Sequence, residues 1–315
     1  MGAGENTPLG TRRAVTAGLT AGILFAPALV RAQSSAAGSK PDEAEPKPDS
    51  VLDARADDSD RMTVPVRLNG MGPFAFVVDT GSNRTVVSEV LASKLMLPAS
   101  QTLRIRAATG IVDASSVRVA TLTVGSRRLD DFDAPVLQAK NLGALGMLGI
   151  DAVASQRIVL DFRLKQMRII PASAAEEDPD AIVVRARSRY GQLILVDTLI
   201  EGVEAFVILD TGGEITIANS VLRNALARRR ASKSEVVTVT SVTGDTALAD
   251  LSFLPRVQMG NIVISNVQVA YADLFAFHEF GLDNKPSMLL GMNVLRSFAK
   301  VSIDFPRREA RFVLA

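Results

Sequence analysis

Two copies of one tripeptide carry the chemistry of this 315-residue chain: Asp79-Thr80-Gly81 and Asp210-Thr211-Gly212. Each ends an apolar run, Phe74-Ala75-Phe76-Val77-Val78 in the first case and Phe206-Val207-Ile208-Leu209 in the second. A carboxylate displayed at the end of a buried strand carries a desolvation cost that only partners or a task offset. Two such carboxylates on matching turns can be brought face to face across a pseudo-twofold axis. At that range they cannot both ionise easily, so the pair holds one proton. The charged partner can then draw a proton from a shared water while the neutral one protonates a carbonyl oxygen, which is what hydrolysing an amide needs. The proton belongs to the pair, and neither Asp79 nor Asp210 has a fixed acid or base role.

Other chemistries are narrowed by composition. There is no cysteine, which excludes thiolate nucleophiles, disulfides and cysteine-built zinc sites. The one histidine, His278, excludes a multi-histidine metal site. It lies in the aromatic-rich stretch Leu274-Phe275-Ala276-Phe277-His278-Glu279-Phe280 and reads as a loop or surface residue. Asp130-Asp131-Phe132-Asp133 lacks the ligand alternation and glycine of a calcium loop and reads as a solvated turn. Neither a metal nor another cofactor is expected. With 35 basic and 34 acidic residues, no net field draws the chain to nucleic acid. Arg228-Arg229-Arg230 ends a helical stretch, where positive charge complements the dipole, and reads as surface.

The carboxylates need elements to hold them, and the chain supplies two matching sets. Thr11-Arg12-Arg13, the apolar stretch Ala14 to Val30 and the small residue at Ala32 predict a secretory signal over 1–32, of the twin-arginine type. That predicts a periplasmic or secreted protein, with a membrane partner only if the leader stays uncleaved. Residues 33–60 are rich in Ser, Ala, Pro and charge and predict a disordered tether or propeptide. A second polar interruption predicts a linker over 172–185, separating lobes at 61–171 and 186–315. With 47% hydrophobic residues, each lobe has material for its own core.

The lobes repeat one text. Each begins with two strands leading to the Asp-Thr-Gly turn: Thr63 to Gly70 and then Phe74 to Val78 in the first, Leu193 to Gly202 and then Phe206 to Leu209 in the second. A helical stretch follows, Val87 to Leu97 and Ser220 to Arg230, with Ser88 and Asn219 as natural N-caps. Then come hairpins tipped by Ala108-Thr109-Gly110 and Val242-Thr243-Gly244-Asp245, strands turning at Gly125 and Gly260, and an apolar pair plus glycine opening a short helix. That last element is Met147-Leu148-Gly149-Ile150-Asp151 in one lobe and Leu289-Leu290-Gly291-Met292-Asn293 in the other. Short strands between Gly, Asn and Asp turns predict an all-β fold of two small barrels or sandwiches.

From Arg61 to the C-terminus, the chain resembles the aspartic proteases of the pepsin and retropepsin type, and looks most like a fused retropepsin dimer. The resemblance implies two homologous retropepsin-like β-barrel lobes with short helices, related by a pseudo-twofold axis, and a cleft between them. It implies that Asp79 and Asp210 are the catalytic pair, that Thr80 and Thr211 bond across the lobe boundary, and that Gly81 and Gly212 allow close backbone approach. Leu148-Gly149 and Leu290-Gly291 become structural supports. Thr109, Gly110, Ile111, Thr243 and Gly244 become flap residues that bind an extended peptide, with Val112 beside them. One position departs from the pattern: Ser82 follows the first glycine and could donate a hydrogen bond to Asp79, whereas Gly213 has no side chain to offer Asp210. The implied function is a monomeric aspartic endopeptidase acting on peptides or proteins. The alternative is a catalytically weak or inactive peptide-binding scaffold of the same fold.

Overall fold

The computed structural model describes residues 16–18, 50–53, 55–56, 61–125, 127–174, 178–227 and 235–315. The chain is mostly β, and the two halves repeat one topology. In the first, the sheet runs Met62–Leu68, Met71–Val78, Gly146–Leu148, Val86–Ser88, Arg127–Leu137, Ser116–Val124. A pairing of Arg67 and Leu68 with Thr123 and Leu122 closes it into a six-stranded barrel. The second half repeats its central run as Gln192–Leu195, Phe206–Leu209, Ser287–Leu290, Thr216–Ala218, Ile262–Tyr271. Even the strand directions match. Gly146–Leu148 is parallel to the strand before Asp79, as Ser287–Leu290 is to the strand before Asp210. Val86–Ser88 and Thr216–Ala218 are each parallel to one neighbour and antiparallel to the other.

An antiparallel sheet joins the halves. Gln156–Asp161, from the first half, pairs antiparallel with Phe298–Asp304 of the second, from Arg157 opposite Asp304 to Asp161 opposite Lys300. These strands are buried on both faces, and their apolar runs are nearly continuous rather than alternating. Lys300 anchors the edge of this region on Asp178, with Nζ 2.9 Å from Oδ2. The main hydrophobic cluster runs through both halves, from Val66 and Phe76 to Leu290 and Phe312.

Several expectations meet a different structure. Ser50–Asp53 and Arg55–Ala56, inside the stretch expected to be a tether, are strands; Ser50–Asp53 adds to Gln166–Pro171 and buries Leu52. Residues 33–49, 54 and 57–60 lie outside the described residues, as does the leader except Thr16–Gly18, which pairs in parallel with Thr238–Thr240. Strand Ile182–Arg189 begins within the expected linker. The single strand expected from Leu193 to Gly202 is broken at Asp197, whose φ is +58°, into Gln192–Leu195 and Thr198–Ile200. Asp130-Asp131-Phe132-Asp133 is part of strand Arg127–Leu137 rather than a turn, because Arg118 on the adjacent strand pairs with Asp131 at 2.6 Å and Asp133 at 3.2 Å. Helix Glu89–Lys94 is shorter than its periodicity suggests; the second helix is described over Ser220–Ala227, and Arg228, Arg229 and Arg230 lie outside the described residues. Their caps are as expected: Ser88 Oγ accepts from the Leu91 N–H at 3.2 Å, and Asn219 Oδ1 from the Leu222 N–H at 3.0 Å.

Candidate active site

Each Asp-Thr-Gly turn is fixed from below by the apolar-pair-plus-glycine element. The Asp79 N–H donates to the Leu148 carbonyl at 3.0 Å, and the Asp210 N–H to the Leu290 carbonyl at 3.1 Å. The chain then loops back, Ile150 N–H to Ser82 carbonyl at 2.9 Å and Met292 N–H to Gly213 carbonyl at 2.8 Å. Any side chain on Gly149 or Gly291 would run into backbone, at 2.5 Å from Arg84 and 2.6 Å from Ile215 respectively. A threonine completes each support. Thr85 donates from its N–H and hydroxyl to Asp151 (2.9 and 2.7 Å), and Thr216 does the same to Asn293 (2.9 and 2.8 Å).

The two turns interlock. The Thr80 N–H donates to Thr211 Oγ1 at 3.0 Å and the Thr211 N–H to Thr80 Oγ1 at 3.2 Å. Each hydroxyl then donates to the carbonyl preceding the opposite aspartate, Thr80 to Leu209 at 3.0 Å and Thr211 to Val78 at 2.8 Å. Four bonds, all buried, thus tie one turn to the other. They bring the carboxylates together: a carbon placed on Gly81 would sit 3.0 Å from Asp210 Oδ1 and 3.1 Å from Asp79 Oδ1. A carbon placed on Gly212 would land inside the Asp79 carboxylate. Glycine is required at both positions for that reason.

Within each turn, one carboxylate oxygen accepts two backbone N–H bonds. Asp79 Oδ1 takes Gly81 (2.7 Å) and Ser82 (3.1 Å); Asp210 Oδ1 takes Gly212 (3.1 Å) and Gly213 (3.0 Å). The expected bond from the Ser82 side chain is therefore replaced by one from its backbone, and its hydroxyl donates instead to the Arg84 carbonyl at 2.8 Å. Ser82 and Gly213 are equivalent in what they give the carboxylates. Both aspartates are almost wholly buried, at 1% and 2% exposure. Burial pushes the Asp210 carboxyl up to about 6, against the pull of the Gly213 and Gly212 N–H groups and the positive charge of Arg61.

Arg61 and Gln192 carried no signal in the sequence, since each stands at the polar start of a strand. Both are fully buried beside the turns. Gln192 Nε2 donates to the Gly81 carbonyl of the opposite lobe, and Arg61 Nη2 to the Leu142 carbonyl at 2.5 Å.

The expected hairpins are present, Leu103–Ala107 with Gly110–Ala114 and Glu235–Thr240 with the start of Thr246–Met259. Their tips do something the Thr-Gly motif did not indicate. Ala108 packs among Ile208, Ile215, Ala276, Phe277 and Phe280 of the second lobe, and Val242 among Val86, Leu142 and Met147 of the first. Thr243 bonds locally to Asp245 and Ser241, and Gly244 turns at φ +92° against Asn141. Thr109 and Gly110 are half-buried, and Ile111 is exposed. His278 is a surface residue paired with Asp283. Among the described residues, no cluster of potential ligands could hold a metal ion.

Two lobes of one topology, each presenting an Asp-Thr-Gly turn at a shared boundary, define a retropepsin-like protein. The aspartyl protease family model matches residues 64–152 and again 196–294, one match per lobe, and the chain belongs to that family. No curated protein matches it.

Proposed function

We propose that the protein is an aspartic endopeptidase that hydrolyses peptide bonds with a water held between Asp79 and Asp210. The observation that carries this reading is the convergence of carboxylate oxygens from both lobes on one point above Gly81. With one proton between them, the ionised carboxyl draws a proton from the water as its oxygen attacks the peptide carbonyl carbon. The neutral carboxyl protonates the carbonyl oxygen, and the resulting tetrahedral species collapses with proton transfer to the leaving nitrogen. The four threonine bonds support this by fixing the distance between the carboxyls before substrate arrives. The substrate lies extended, its backbone adding to the hairpin strands carrying Thr109, Gly110, Ile111, Thr243 and Gly244. Both carboxyls come from one chain, so a monomer suffices, and the leader directs it to the periplasm or outside the cell.

The deciding experiment incubates purified protein with a mixed peptide library at acidic and neutral pH, beside Asp79→Asn and Asp210→Asn. Cleavage by the parent chain and loss in both variants is the expected result. Turnover retained by both variants would overturn it. The alternative reading, a peptide-binding scaffold without efficient turnover, draws on the near-complete burial of both aspartates. It predicts peptide binding without cleavage.

A further inference from the structure

The two lobes agree in their paired threonines, their glycines and their carboxylate contacts, but differ in charge at one buried position. Thr63 pairs with Val77, and Ile194 with Ile208. Two residues before each of these stand Arg61 and Gln192; two residues after stand Asp79 and Asp210. Continuing the antiparallel register sets Arg61 opposite Asp79 and Gln192 opposite Asp210, so the two are pseudo-twofold mates. Gln192 meets its surroundings with a neutral amide, bonded across the boundary to the Gly81 carbonyl. Arg61, 1% exposed, brings a positively charged guanidinium. A buried charge is costly, and in a low-dielectric interior its field on neighbouring carboxyls is strong.

We propose that Arg61 is a positioning residue of the dyad, a positive charge supplied by one lobe only that offsets burial and holds the pair to a single proton in mildly acidic conditions. The positive charge opposes the upward push of burial on Asp210, as described above. The other charged groups of the turn segments and their supports are Arg84, Asp151 and Glu214. Asp151 is engaged by Thr85 and by the charge of Arg84. Neither carboxyl would lose its proton as readily if the position held the neutral residue its sister lobe carries.

This inference rests on the dyad reading above, and its test separates the two. Arg61→Gln gives both lobes the same residue, Arg61→Lys keeps the charge, and Arg61→Met serves if the glutamine variant does not fold. kcat/KM is followed against pH on a peptide the parent chain cleaves, and thermal stability is followed against pH on the same proteins. The expected result for Arg61→Gln or Arg61→Met is an upward move of about one pH unit in the descending limb of activity, matched in the pH at which stability falls. Arg61→Lys keeps the parent profile. An unchanged pH midpoint in both measurements, whatever happens to the size of kcat/KM, would overturn the role of Arg61. If the parent chain cleaves nothing, the endopeptidase reading fails while the stability measurement still decides on Arg61.

Discussion

Ala108 and Val242 trade places across the lobe boundary: each tips a hairpin of its own lobe and is wholly buried in a hydrophobic cluster of the other. The first contact is reinforced by the Ala276 N–H on the Ala108 carbonyl at 3.4 Å and by Arg106 Nη1, 2.5 Å from Glu279 Oε2. On the proposed reading, an extended peptide entering between the lobes would displace at least one of these tips. Opening therefore has a cost set by small, named contacts.

Trimming one contact should make that opening easier. Val242→Ala removes buried methyl groups worth about 2 kcal/mol, enough for roughly a 30-fold rise in the open population of its hairpin. Amide hydrogen exchange over 235–245 would report it. Unchanged protection there would mean that Val242 does not hold the tip.

The threonine interlock should dominate the stability of the boundary. Thr80→Val and Thr211→Val each leave buried backbone groups unpaired and should cost about 2–3 kcal/mol in urea unfolding. Because the two side chains share one network, the double variant should cost clearly less than the sum. Simple additivity would show that they act independently.

Glycines beside the carboxylates should separate activity from folding. A carbon on Gly213 would lie 2.9 Å from Asp210 Oδ2, close enough to displace the carboxyl without blocking the turn. Gly213→Ala should lower kcat/KM by roughly 10- to 100-fold with little change in stability. Gly212→Ala drives its methyl into the Asp79 carboxylate and should impair folding itself. A Gly213→Ala protein with full activity would show that the carboxyl has room to spare.

Asp210 should make stability depend on pH with a definite sign. Its carboxyl rises on folding from the ordinary aspartate range to about 6, so the folded state holds the proton more tightly. The stabilisation from that proton is fully present below about pH 4 and is lost as pH climbs through about 6. By pH 7 the ionised, buried group costs about 3 kcal/mol relative to a neutral one. Asp210→Asn should gain stability on the parent chain between pH 4 and 7 and nothing further above. Parallel stability curves for the two proteins would contradict this. The descending limb of kcat/KM should fall in the same window as the dyad loses its last proton.

What the sequence reveals here is what local physics encodes. Apolar runs ending in Asp-Thr-Gly mark buried strands breaking into tight turns, and Ser88 and Asn219 mark helix starts, because each signal is contained within a few residues. Leu148-Gly149 and Leu290-Gly291 are legible for the same reason. Arg61 and Gln192 are not, since a polar residue at a strand's beginning normally faces water, whereas here Gln192 is bonded to the opposing lobe and Arg61 to the distant Leu142 carbonyl. The reach of Ala108 and Val242 into the other lobe is equally invisible, because the flanking Thr-Gly pairs advertise a turn and say nothing of what it touches. Asp130 to Asp133 misleads because its cross-strand partner, Arg118, neutralises a cluster that in isolation asks for solvent.

The sheet shared by Gln156–Asp161 and Phe298–Asp304 has a consequence for how such a chain can change over generations. Strands of one repeat complete the ladder of the other, so neither repeat can be traded for a fresh copy of its twin. Bound permanently to one partner, each is freed from having to match itself. Mutations that would be fatal in a symmetric pair, where every change occurs twice, can here be tried on a single side, and Arg61 where the sister lobe has Gln192, like Asp151 where it has Asn293, is the kind of divergence that freedom permits.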